Sequence, residues 1–112
     1  KNISRAKKAG AHRVEALDWG ISLDTADPVP EDVSHVGVRA HSFFPPSGAS
    51  APNLIAIEDC GSSEGPFEWN ILFRAAGTAS EKIWWKIGKH AYAGVPDHLA
   101  VSPEDVLVLR EG

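Results

Sequence analysis

Methionine is missing from all 112 residues, and cysteine occurs once, at Cys60. A single thiol excludes an internal disulfide framework and fits a reducing compartment. The absence of methionine, at position 1 as elsewhere, is expected of a piece cut from a larger product. No apolar run approaches the roughly 20 residues that cross a bilayer. No signal-like apolar stretch follows the start Lys1-Asn2-Ile3-Ser4-Arg5. Basic residues are also scarce: eleven against fifteen acidic ones, a net charge of −4, which argues against a general nucleic-acid binder. Phosphate-binding loops of the Walker type and dinucleotide fingerprints are absent, and no stretch keeps a helical period for three turns.

What is present suits one globular domain. Hydrophobic content of 43% and charged content of 23% are ordinary for a folded chain, and this length can bury a single modest core. Charge is unevenly spread. Lys1, Arg5, Lys7, Lys8 and Arg13 fall in the first thirteen positions without an acid. A basic arm for an anion or membrane surface is one reading. A lysine-protected edge strand, or the end of a linker, is the preferred one.

Period-two patterning dominates and predicts seven or eight short strands. His12 to Trp19 and Gly20 to Thr25 are hinged at Asp18-Trp19-Gly20, and the proline-bearing turn 26–32 follows. His35 to His41 places Val36, Val38 and Ala40 on one face and Gly37, Arg39 and His41 on the other. A loop rich in proline and small residues, 44–52, separates this strand from Asn53 to Cys60. Phe67, Trp69, Ile71 and Phe73 alternate with Glu68, Asn70, Leu72 and Arg74, the clearest strand pattern in the chain. Glu81 to Ile87 sets Ile83, Trp85 and Ile87 against Lys82, Trp84 and Lys86, and Gly88 to Pro103 reads as a loop before a last strand, Val106 to Arg110. These elements predict an all-β fold, a small barrel or sandwich. Pro30-Glu31-Asp32-Val33 is echoed by Pro103-Glu104-Asp105-Val106, each before a strand that ends in arginine, as pseudo-equivalent halves would be.

No catalytic or metal constellation emerges. The histidines His12, His35, His41, His90 and His98 lack compact ligand spacing, and Cys60 has no neighbouring cysteine or histidine. The carboxylate pairs Glu31/Asp32 and Glu104/Asp105 fall in turns, where they cap free backbone groups. The chain by itself is therefore expected to be no enzyme and to hold no metal. Anion binding is the better chemical hypothesis. Arg39 and His41 share a strand face beside Gly37, which leaves backbone accessible, while Lys82 and Lys86 share another with Lys89 just beyond. Were the two faces neighbours, they would suit a small oxyanion, helped by Ser42 or Asn53. The plainer reading is a solvated face with charge pairs to Glu68 and Glu81. Trp84 beside Leu72 on a polar face suits a protein contact, or packing beneath the long loop.

Val36-Gly37-Val38-Arg39-Ala40-His41 resembles the "GIRxxx" strand of TOBE-type domains, the C-terminal β-domains of bacterial ABC-importer ATPase subunits. Val101-Ser102-Pro103-Glu104-Asp105-Val106-Leu107-Val108-Leu109 is similar to that family's closing "xPExxxLL" strand. The strands 67–74 and 83–86 resemble the pair that precedes it. Lys1-Asn2-Ile3 and Asp18-Trp19-Gly20-Ile21 resemble the junction after the nucleotide-binding domain in molybdate/sulfate-type members. The resemblance spans essentially the whole chain.

It implies an OB-like (TOBE/MOP-type) barrel, a C-terminal accessory domain of a larger ATPase subunit. Its implied partners are the nucleotide-binding domain of the same chain and a second copy of the subunit. Some relatives bind molybdate or tungstate to inhibit transport, so molybdate, tungstate or sulfate is the implied ligand. ATP and magnesium would belong to the upstream domain, since the Walker and signature motifs are not in this chain. The implied location is cytoplasmic, peripheral to the inner membrane and touching it only through the permease. The "SARN" oxyanion motif of molybdate-binding relatives is absent, and the resemblance carries over only Arg39, Ser42 and Asn53. The alternative is a free-standing small β-barrel that binds a ligand or an oligonucleotide, for which residues 1–13 are the support.

Overall fold

A computed structural model describes residues 1–48 and 50–110. These residues form ten strands and short 3-10 turns, so the all-β expectation holds. The strands are β1 (Asn2–Gly10), β2 (Arg13–Ala16), β3 (Ile21–Asp24), β4 (Val33–Val38), β5 (Phe43–Phe44), β6 (Ile55–Glu64), β7 (Glu68–Ala75), β8 (Ile83–Gly88), β9 (His98–Val101) and β10 (Leu107–Arg110). They make two antiparallel five-stranded sheets, ordered β10-β4-β1-β2-β3 and β5-β9-β6-β7-β8. Together the sheets approach a closed barrel, consistent with a small OB-like architecture. No helix among the described residues is long and apolar enough to cross a membrane.

One apolar cluster joins the sheets. Trp19, Leu23, Val36 and Val38 from the first meet Ile71, Phe73, Ile83, Trp85, Leu99 and Val101 from the second. Full burial of side chains of this size contributes about 1.5–3 kcal/mol each. Phe43 and Phe73 meet edge to face with ring centroids 5.2 Å apart, and Trp69 stacks on Tyr92 at 4.9 Å. The alternation read along β7 and β8 is therefore the inward face of the second sheet.

Several expectations need correction. The basic N-terminal segment is neither an edge strand nor a linker end, because β1 is the middle strand of its sheet, between β2 and β4. It escapes the usual pattern because its inward positions are Asn2, Ser4 and Ala6, whereas Ile3 faces outward. Phe67 is not an inward strand residue: it lies before β7 at the hairpin tip and is 82% exposed. The strand expected to stop at Cys60 runs on to Glu64 through a bulge between Asp59 and Gly61. Arg39, Ala40 and His41 leave the strand. Arg39 precedes a 3-10 turn, Ala40–Ser42, which carries the chain from β4 into β5. Gly37 does not expose backbone either, since a Cβ there would lie 3.3 Å from the Lys1 Cδ that covers it. Within the expected loop 88–103 lies β9, whose Leu99, Ala100 and Val101 are wholly buried. The proline-rich loop 44–52 has no strand beyond Phe44, with position 49 outside the described residues.

The echoed segments do pair. β10 runs antiparallel to β4, and Arg110 grips Asp32 through two hydrogen bonds of 2.9 and 3.0 Å.

Two asparagines close the seams between the sheets, and their hydrogen bonding is nearly the same. Asn2 accepts from the Trp84 N–H at 2.9 Å through Oδ1, and its Nδ2 donates to the Trp84 carbonyl at 2.9 Å and the Val38 carbonyl at 3.1 Å. Asn53 accepts from the Asp24 N–H at 2.7 Å and donates to the Asp24 and Val101 carbonyls, each at 3.1 Å. Trp84 and Asp24 belong to β8 and β3, each the outermost strand of its sheet. Each amide thus replaces one rung of a ladder for a strand with a free edge. Asn53 does so with φ at 49°, a left-handed conformation that asparagine tolerates better than most residues.

Candidate anion-binding site

The outer face of the β7–β8 hairpin sets Asn70 opposite Lys86 and Leu72 opposite Trp84. Next to this face sits the 3-10 turn that follows Arg39. His41 from the turn bonds Glu68 at the start of β7 through its Nε2, tying turn to hairpin. Asn2 holds the start of β1 against Trp84 on the same side. Between these elements lies an open depression of about 570 Å³, lined by Lys1, Asn2, Arg39, Ala40, His41, Asn70, Trp84 and Lys86.

Its electrostatics separate it from the rest of the surface. Arg5, Lys7, Lys8, Arg13, Arg74, Lys89 and Arg110 each reach a carboxylate within 4.0 Å. Among the described residues, Lys1, Arg39, Lys82 and Lys86 do not. Three of those four line the depression. Such a group can hold a tetrahedral oxyanion by charge-assisted hydrogen bonds, with the arginine fork supplying direction.

The residues singled out from sequence divide accordingly. Arg39, His41, Lys86 and Trp84 come together, although Arg39 and His41 arrive on a turn. Lys82 precedes β8 and does not line the depression. Ser42 is likewise outside the lining, its N–H donating to the Arg39 carbonyl at 2.9 Å. Asn53 lies at the other seam with its amide spent on Asp24 and Val101, so it is a structural residue there. Leu72 is half-buried beside Trp84, which is 47% exposed. Lys1, Asn2 and Asn70 were missed. Only the lack of an acid near Lys1 hinted at the first, and no pattern marks the asparagines.

The N-terminal cations other than Lys1 are occupied. Arg5 holds Asp18 through Nε at 2.9 Å, Nη2 at 2.6 Å and its own backbone N–H at 2.9 Å. The hydrogen bond from the Arg5 side chain, then that from its backbone, keeps the Asp18 carboxyl below its ordinary pKa. Arg110 lowers Asp32 and Arg74 lowers Glu58 in the same way, through a side-chain hydrogen bond first. Lys7 meets Glu15 directly across the β1–β2 ladder, Lys8 reaches Glu31 at 2.8 Å, and Arg13 reaches Asp24 at 2.8 Å.

A second depression, of about 470 Å³, lies between the turn 25–30 and β10. Its charged lining is Asp27, Glu104 and Arg110, and Arg110 is already engaged by Asp32. It offers no unpaired cation. No group of three or more histidine, cysteine or acidic side chains among the described residues is placed to hold a metal ion. Compared with known proteins, the chain matches no family model, no curated protein and no solved structure.

Proposed function

We propose that this chain is a regulatory, accessory β-domain of an ABC-importer ATPase subunit of the molybdate/sulfate type, and that it senses an oxyanion. The observation that carries this reading is the grouping of Lys1, Arg39 and Lys86, without carboxylate partners, around one depression. The resemblance of the strand ending at Arg39, and of the closing segment 101–109, supplies the parent. A TOBE/MOP-type barrel is compatible with the nearly closed all-β fold. The ATP and magnesium chemistry belongs to the nucleotide-binding domain preceding it, so the role of this chain is regulatory and not catalytic. Its setting is the cytoplasmic side of the inner membrane, reached through the permease. Leu72, on the outer face of the β7–β8 hairpin and outside the lining of the depression, marks the surface offered to a second copy of the subunit.

The oligonucleotide alternative drew on residues 1–13. Four of their five cations, Arg5, Lys7, Lys8 and Arg13, are paired with acids, which removes most of its electrostatic support.

Calorimetric titration with molybdate, tungstate and sulfate tests the oxyanion. Saturable heat lost in Arg39→Ala is the expected result, and no heat with any of the three in folded protein would refute sensing. Reading the gene upstream of Lys1 tests the parent, because the assignment requires a Walker-type phosphate loop there.

A further inference from the structure

We propose that the oxyanion held by Lys1, Arg39 and Lys86 is the phosphate of an aromatic phosphate ester of the nucleotide class, whose planar ring lies against Trp84. The proposal rests on the oxyanion reading above and adds the group to which that oxyanion is attached.

Size is the first argument. A tetrahedral oxyanion is only a few times larger than a water molecule, whose share of liquid volume is about 30 Å³. The depression measures about 570 Å³, within the range of roughly 300–1,000 Å³ that accommodates whole organic ligands. A bare oxyanion would leave most of it to solvent.

The lining is the second. Trp84 brings a half-exposed indole into a site otherwise lined by three cations, two asparagines, Ala40 and His41, whose imidazole is bonded to Glu68. Trp19 and Trp85, in contrast, are buried in the core. An exposed indole beside cations is the pairing that stacks a base and neutralises its phosphate. Its backbone is held by Asn2 through both N–H and carbonyl, so the ring starts from a fixed frame.

The amides are the third. Asn2 has spent its amide on the seam. Asn70, directly across from Lys86, makes no side-chain hydrogen bond among the described residues, so its donor and acceptor are free for the edge of a heterocycle. Cations, a stacking surface and an uncommitted amide thus share one cavity. Sulfate or molybdate needs only the first of these.

The test is calorimetry at one ionic strength with four probes: adenosine monophosphate, inorganic phosphate, molybdate and adenosine. The monophosphate should bind about tenfold more tightly than either inorganic anion, the gain expected of one stacked base. Trp84→Ala should bring it down to the phosphate value while leaving phosphate binding unchanged. Trp84→Phe should keep most of the gain, and an unchanged urea midpoint for both variants shows that the fold is retained. Arg39→Ala should weaken monophosphate and phosphate alike. If phosphate or molybdate binds as tightly as the monophosphate, the ester proposal falls and oxyanion sensing stands. If adenosine binds as tightly as the monophosphate, the cations are not the anchor and the proposal falls. Absence of binding by all four probes overturns both readings.

Discussion

The two seams of the barrel use the same hydrogen bonds in opposite surroundings. At one, Asn2 joins β1 and β4 to the free edge of β8 and opens on a depression bordered by Lys1, Arg39 and Lys86. At the other, Asn53 joins β9 to the free edge of β3, where Asp24 is already bound to Arg13 and the neighbouring depression contains Asp27 and Glu104. An asparagine amide closes a sheet equally well in either setting. Only the first setting leaves cations uncompensated among the described residues, whereas the charge left over at the second is acidic, so only the first suits an anion. The difference separates groups that maintain the fold from groups free to bind.

The largest effect should come from breaking the first seam. Asn2 is buried, and Asn2→Ala leaves the Trp84 N–H and two carbonyls without their partner, a loss of about 2–3 kcal/mol in urea unfolding. Because the start of β1, which carries Lys1 into the depression, is released as well, anion affinity should fall in the same variant. Asn53→Gly keeps the left-handed backbone accessible and removes only the amide. Its bonds to Asp24 are exposed, so about 1 kcal/mol should be lost, with anion affinity unchanged. Equal losses at the two seams, with equal effects on binding, would erase the contrast.

Acid should act on the paired carboxylates. Asp18, Asp32 and Glu58 have folded pKa values below their ordinary ones, set first by side-chain hydrogen bonds from Arg5, Arg110 and Arg74. Each therefore supports the fold fully above the unfolded carboxylate range of about 4, and that support is lost as pH falls through the folded values. Thermal midpoints should be flat near neutrality and decline below about pH 4. In Arg5→Ala that decline should be shallower, because Asp18 loses the side-chain hydrogen bond that lowers its pKa most and keeps only the one from the residue-5 backbone N–H.

The smallest effect on stability should come from the unpaired cations. Arg39→Ala removes no ion pair among the described residues and should leave the unfolding midpoint in place while weakening anion binding. Arg110→Ala should do the reverse, lowering the midpoint slightly and leaving anion binding intact, since its partner is Asp32. A midpoint shift in Arg39→Ala larger than that in Arg110→Ala would reverse the assignment of the two groups.

Legibility followed the balance between local pattern and distant contact. β7 and β8 were readable because one face of each is buried, so Ile71, Phe73, Ile83 and Trp85 alternate with polar residues. β9 was not, because Leu99, Ala100 and Val101 are buried in succession over only four residues and show no alternation. β1 inverts the usual signal. Its inward Asn2 and Ser4 are tolerated because Asn2 is satisfied by Val38 and Trp84, while Ser4 donates to the Arg5 carbonyl and accepts from the Asp18 N–H. The residues of the candidate site were partly legible: Arg39, His41, Lys86 and Trp84 stood out by type, but Asn53, chosen for the same purpose, serves the opposite seam.

By itself the sequence determined an all-β chain, the inward faces of its aromatic strands and an excess of acid, because hydrophobic periodicity and charge are local quantities. Tertiary structure alone decided which cations remain free. That depends on whether a carboxylate distant in sequence comes within about 4 Å, as Asp18 does for Arg5 and none among the described residues does for Arg39. It also decided that Arg39, Lys86 and Trp84 share a cavity with Lys1. Strand order and a 3-10 turn bring them together, and neither leaves a periodic trace in the chain.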